Sequence, residues 1–192
     1  MKRLALAVIG LLALSQLILY GCGDRLLTVN VDILSFMDPT AVSLPYGGPG
    51  HIIPAHGLVP DTLEAPIQNV NLTEGLAEVT DVQSVALHVS SRLANQTGTA
   101  RVWLQVFISD TLTNPYDTTP CAQDSLDLEP ATVDTMKVDV LGDQRLAELL
   151  TGEAVRVGIR TTFNSMGSSE NVTGVETLTR FTATVVAKRH IP

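Results

Sequence analysis

Between Ala100 and Ile108 every second residue is apolar: Ala100, Val102, Leu104, Val106 and Ile108 alternate with Arg101, Trp103, Gln105 and Phe107. A period of two is that of a β-strand with one face in a core. The pattern recurs along the chain. Leu27, Val29, Val31 and Ile33 alternate with Thr28, Asn30 and Asp32. Val85, Leu87, Val89 and Leu93 alternate with Ala86, His88 and Arg92. Val155, Val157, Ile159 and Phe163 alternate with Arg156, Gly158 and Arg160. In the last segment, Thr177–Lys188, Phe181, Ala183 and Val185 point one way, and Glu176, Arg180, Thr182 and Thr184 the other. Trp103 and Phe107 lie on the second face of their strand, so that face is expected to be covered too.

The segments between the strands are of different kinds. Ala94-Asn95-Gln96-Thr97-Gly98 reads as a turn, so the strands on either side of it are expected to pair as a hairpin. Residues 37–66 hold prolines 39, 45, 49, 54, 60 and 66. Proline has no ladder donor, so this stretch reads as a long loop with at most one edge strand near His51–Ile53. Ile67–Leu72 suits a short strand, and Ala131–Val140 a longer one. Ser109 to about Asp127 reads as a polar loop. One helix is predicted near 143–151: Asp143 offers the N-cap, Leu146, Leu149 and Leu150 the apolar stripe, and Gly152 the stop.

About seven strands and one helix predict an all-β fold, a two-layer antiparallel β-sandwich of Ig-like architecture. Nothing alternates as βαβ, and no repeat is evident. The composition agrees, with 45% apolar, 17% charged and 4% aromatic residues. Val, Leu, Thr and Ala must therefore build the core, a mixture that favours strands.

The chain opens Met-Lys-Arg, followed by an apolar run from Leu4 to Leu19 and then Tyr20-Gly21-Cys22. A charged start, an apolar stretch and a small residue before a cut form an export signal. The run is shorter than the roughly 20 residues usual for a membrane-crossing helix, although about 17 can suffice for an uncleaved anchor. Leu19-Tyr20-Gly21-Cys22 resembles a bacterial lipobox, the motif cut by the lipoprotein signal peptidase, with Tyr20 at a position that is commonly small. The resemblance covers the first 22 residues only. It implies that Cys22 becomes the new N-terminus and carries a diacylglyceryl group. By analogy with enteric bacteria, Gly23 after the cysteine implies outer-membrane sorting. An ordinary secreted protein is the alternative. The implied organisation is a signal peptide at 1–21, a short tether at 22–26 and a single sandwich domain at 27–190.

Removing Lys2 and Arg3 leaves 10 basic against 20 acidic residues, a net charge of −10. That balance repels phosphate backbones, so nucleic acid is not an expected partner. The expected partners are a membrane, through the lipid, and an envelope protein. With Cys22 acylated, Cys121 has no partner in the chain. Its neighbours Asp117 and Asp124 are acidic, which raises a thiol pKa and makes it inert. With Cys22 unmodified, a Cys22–Cys121 disulfide remains open.

Chemistry-bearing motifs are sparse. His51 and His56, with Asp61 and Glu64 following, bring zinc-type ligands into the proline stretch, but their i, i+5 spacing across a proline matches no zinc helix. Asp110, Asp117, Asp124 and Asp127 lack EF-hand spacing for calcium. No serine sits in a nucleophile elbow and no glycine-rich phosphate loop precedes a helix. Three Asn-x-Thr sequons begin at Asn71, Asn95 and Asn171 and read as turns. No catalytic residue and no cofactor is assigned. The expected function is an envelope-anchored binding or structural module. A metal-dependent or hydrolytic enzyme with a site in 37–66, and a carrier of an apolar ligand, are the alternatives.

Overall fold

The computed structural model describes residues 25–48, 52–56, 60–71, 81–150, 154–167 and 169–189. Among these residues ten strand segments form two antiparallel sheets. The first sheet contains β1 (Arg25–Asp32), β2 (Ser43–Tyr46), β5 (Asp81–Thr97), β8 (Val133–Leu141) and β10 (Thr173–Arg189). The second contains β3 (Asp61–Glu64), β4 (Gln68–Asn71), β6 (Ala100–Ser109), β7 (Ala122–Leu128) and β9 (Ala154–Ser165). β1 and β2 pair with successive stretches of β10, and β3 and β4 with successive stretches of β9. The order is therefore β1/β2-β10-β5-β8 against β3/β4-β9-β6-β7. The expected antiparallel sandwich is present, and its connectivity is that of a jelly roll, eight strand positions in two sheets.

One contiguous core lies between the sheets. Leu87, Val89, Leu93, Phe181 and Val185 from the first meet Val102, Leu104, Val106, Val157 and Phe163 from the second. Tyr46 leans on Phe163 with ring centroids 4.6 Å apart.

The structure corrects several expectations. β5 and β6 are not a hairpin: they pair with different strands and lie in different sheets. Gly98, at φ +71°, turns the chain across the core, and a Cβ there would press on the Asn171 backbone at 2.9 Å. A tight turn and alternating strands look the same in sequence whether the partners lie side by side or face to face. β6 pairs with β7 instead, within the stretch read as a polar loop. β7 was obscured by Asp124, which interrupts the inward row of Ala122, Leu126 and Leu128. Charges suit it, because it is an edge strand. The proline stretch holds β2, β3 and a one-turn helix α1 (Pro39–Val42), which makes a second helix. Asp38 caps it, accepting from the Thr40 amide at 2.8 Å. Pro45 is tolerated in β2 because that strand is an edge. The expected edge strand at His51–Ile53 is a single bridge, Ile53 to Val172, with His51 outside the described residues.

The predicted helix is α2 (Gln144–Leu149). Asp143 accepts from the amides of Arg145 and Leu146 at 2.8 and 3.2 Å, a cap that stabilises by about 1 kcal/mol. α2 buries Leu146 and Ala147 and packs against β5 and β6, closing that end of the sandwich.

The last strand holds one more correction. A bulge at Thr179 shifts the register between Leu178 and Arg180. Before it, Gly174, Glu176 and Leu178 face inward; after it, Phe181, Ala183, Val185 and Ala187 do. Glu176, read as outward from an unbroken period, is buried.

Candidate functional site

The β6–β7 connection is locked to the outer face of the second sheet. Asp110 accepts from the amides of Leu112 and Thr113 at 2.9 and 2.7 Å, and the Thr113 hydroxyl, followed by these amides, holds its carboxyl below the usual range. Asn114 caps the short 3-10 turn at Pro115–Asp117. That turn lays Tyr116 over Gly158, where a Cβ would stand 2.8 Å from the ring. The ring meets Phe107 edge-on at 5.5 Å, and its hydroxyl donates to the Ala65 and Ile159 carbonyls. Burial pushes that phenol up to about 12. The Arg160 guanidinium lies 4.9 Å from the centre of the Phe107 ring and 5.1 Å from that of Tyr116, within cation–π range. The same guanidinium donates twice to Glu64 Oε1, at 2.9 and 2.6 Å. Phe107 is therefore covered, as its position opposite the core-facing row predicts, whereas Trp103 is half-buried.

Inside the sandwich is a second polar group. Glu176 is 4% exposed, with Leu93 and Leu44 beside it in the ladder. Ser91 donates to its Oε1 at 2.7 Å. Oε2 has no hydrogen-bond partner among the described residues. Burial raises the pKa, and the hydroxyls of Ser91 and of Thr161 on the facing sheet only moderate the rise. Tyr46 is also buried; desolvation, and then the nearby Glu176, raise its pKa. Its hydroxyl points at Asn95 Oδ1, 3.4 Å away. Asn95 in turn donates to the Gly98 and Glu129 carbonyls at 2.8 and 2.9 Å, tying two inter-sheet turns together. Asn95 is thus a buried structural residue.

The residues singled out from sequence fare as follows. Cys22 and His51 lie outside the described residues. His56 is exposed in a turn, and Glu64 is engaged by Arg160. Among the described residues no three His, Cys, Asp or Glu side chains converge as a metal site. Of the four loop aspartates, Asp110 caps its own turn, Asp124 accepts from the Ser125 amide and Asp127 pairs with Arg101 at 2.7 Å. Cys121 donates to the Val106 carbonyl at 3.2 Å, and burial, with Asp143 adding less, pushes its thiol up to about 12. Such a thiol is inert at neutral pH. One pair that sequence reading missed is His88 Nδ1 with Asp139 Oδ1, 2.6 Å apart on directly opposed residues of β5 and β8. It lies on the outer face of the first sheet, and among the described residues Asp139 is the only hydrogen-bond partner of that ring. The residues are 51 apart in sequence, so no local motif marks them.

No protein-family model and no curated protein sequence matches the chain. Solved structures do resemble it in shape. A chain from the structure of infectious bursal disease virus, Gx strain, aligns at 10% identity and TM-score 0.41, over 88% of this chain and 37% of the viral one. The chain thus spans little more than a third of that viral protein. Eiger TNF from S. frugiperda aligns at 8% identity and TM-score 0.34, covering 88% and 96% of the two chains. TmCBM61, solved with β-1,4-galactotriose, aligns at 10% identity and TM-score 0.29, covering 81% and 87%. The fold rests on the strand order above, not on these likenesses. Among the described residues no helix is long and apolar enough to cross a membrane.

Proposed function

We propose that this chain is an envelope lipoprotein, a jelly-roll domain held at a bacterial membrane by a lipid on Cys22 and acting as a binding or structural module. The supporting observation is where the fold starts. β1 begins at Arg25, two residues before the apolar alternation, so only Gly23 and Asp24 separate the lipobox cysteine from the first ladder. Three residue steps reach roughly 10 Å. Acyl chains hold a protein stably when two or more are present, at about 0.8 kcal/mol per buried methylene. By the lipobox analogy the membrane is the outer one. The partner of this reading is a protein at the envelope, and Glu64, Asp110 and Asn95 brace the domain that would meet it, through Arg160, an internal turn and two carbonyls.

Mass spectrometry of the mature N-terminus and palmitate labelling in cells test the anchor. The wild type is expected to begin at an acylated Cys22 and to pellet with membranes, and Cys22→Ser to lose both label and pelleting. An intact leader, or an unmodified N-terminus beyond Cys22, would overturn the reading.

A further inference from the structure

Glu176 lies in a row that crosses the first sheet, and the ladders name its members: Leu44 on β2, Glu176 on β10, Leu93 on β5 and Asp134 on β8. The Thr161 hydroxyl reaches the carboxyl from the second sheet. Its own row reads Leu63, Thr161, Leu104 and Asp124. The titratable groups that face Glu176 are therefore Asp134 and Asp124 at the far edges, both acids, and the Tyr46 phenol from β2. Among the described residues no cation pairs with it. The two sides on which water could reach it differ. On one stand β5 and β8, with Leu93 fully buried. On the other stands β2 alone, four residues that pair with β10 at the edge of the sheet. Pro45 gives that strand one ladder donor fewer, and Leu44 is only half-buried. The Tyr46 ring rests on Phe163, but its hydroxyl stands 3.4 Å from Asn95 Oδ1, long for a hydrogen bond.

We propose that β2 is a gate that stays shut while Glu176 is protonated and lifts from β10 when that acid ionises. Protonated, the side chain is neutral and sits between the hydroxyls of Ser91 and Thr161. Ionised, it is a buried charge whose Oε2 has no donor among the described residues. A core tolerates an unpaired charge poorly. The acids in the two facing rows cannot compensate it, so water must, and displacing four edge residues is the shortest way to admit water. Opening bares the edge of β10 from Gly174 to Thr177. The sign follows from linkage. With β2 lifted, Glu176 meets solvent and titrates near its ordinary 4.5; with β2 shut, burial holds its proton to higher pH. The shut form is fully favoured below the ordinary value. Above it, the shut form loses ground by about tenfold per pH unit until pH passes the raised value.

Amide hydrogen exchange of the full chain tests this, read as protection factors normalised for the intrinsic rate at each pH. Between pH 5 and pH 7 the wild type is expected to lose at least about tenfold protection in β2 and in the 174–177 stretch of β10. The 181–187 stretch of β10, paired with β1 and β5, should hold its protection and serves as the internal reference. Glu176→Gln should show no such fall, because an amide has no proton to lose. Tyr46→Phe keeps the ring and removes the phenol, so the fall should persist in it. A β2 whose protection does not change with pH in the wild type overturns the gate, as does an equal fall in Glu176→Gln. An equal fall at 181–187 also overturns it, because the whole domain is then opening. A fall that vanishes in Tyr46→Phe assigns the response to the phenol and overturns the role of Glu176.

Discussion

Glu176 and Glu64 sit in strands of the same sandwich, and their surroundings are opposite. Glu64 faces outward on an edge strand and meets Arg160, whose guanidinium is also spread over two aromatic rings. Glu176 faces inward, with a serine on one oxygen and nothing on the other among the described residues. A charge on Glu64 has a cation and solvent beside it; a charge on Glu176 is buried with only hydroxyls to stabilise it. The difference teaches that the cost of a carboxylate here depends on the face it occupies, and the face was set by one bulge in β10. The outer cluster braces a loop and tolerates ionisation. The inner cluster fixes how Tyr46, Ser91, Asn95 and Thr161 meet, and favours a neutral acid.

The largest expected effect comes from closing the space on which the inner cluster depends. At Gly174 a Cβ would run into the Ala94 carbonyl and the Tyr46 hydroxyl. Backbone cannot yield as a side chain can, so Gly174→Ala should destabilise the domain by about 3 kcal/mol in urea unfolding. A midpoint equal to wild type would show that Tyr46 is not held where it is described.

Glu176→Gln sharpens the contrast through pH. The folded protein raises this pKa, so it binds the proton more tightly than the unfolded chain, whose reference value is 4.5. The stabilisation is fully present below the unfolded pKa. It falls as pH rises above that value and is lost once pH passes the raised folded pKa. The amide has no charge to release, so the variant should be more stable than wild type at pH 8, by on the order of 1–3 kcal/mol, and close to it at pH 4. Thermal melts of both proteins across that range measure the crossover. A variant weaker than wild type at every pH would break the assignment of a neutral acid.

On the outer side, Tyr116→Phe keeps both ring contacts and removes the donor to the Ala65 and Ile159 carbonyls. A loss of about 1 kcal/mol is expected, with protease susceptibility rising first in the 109–121 connection. Smallest of all, Glu64→Gln should shift stability by no more than about 0.5 kcal/mol, because the pair is partly solvated. The shift should shrink further in high salt. A larger loss at Glu64 than at Tyr116 would reverse the ranking of the buried hydroxyl's hydrogen bonds over the ion pair.

What the sequence determined by itself is the local alphabet of this protein. Apolar residues at every second position determined that Val85–Leu93, Ala100–Ile108 and Val155–Phe163 are strands and which sides of them are buried. Asp143 followed by a leucine stripe determined α2. Asp117 and Asp124 around Cys121 pointed to an inert thiol, but burial is the cause of its raised pKa, with Asp143 rather than that pair adding a smaller charge effect. The lipobox-like ending at Cys22 is a local signal as well, and nothing in the fold was needed to read it. What only the tertiary structure decided is which strand lies beside which. Alternation is the same for a strand paired in-sheet and for one facing it across the core, so the turn at Gly98 could not reveal that β5 and β6 belong to different sheets. Nor could it reveal that the true hairpin partner of β6 is β7, which carries Asp124 and Asp127. The bulge at Thr179 was equally hidden, because one extra residue leaves composition unchanged while moving Glu176 from solvent to core. His88 and Asp139, and Arg160 with Glu64, Phe107 and Tyr116, met for the same reason: hydrogen-bonded registers join residues far apart in the chain, and only the assembled sheets fix those registers.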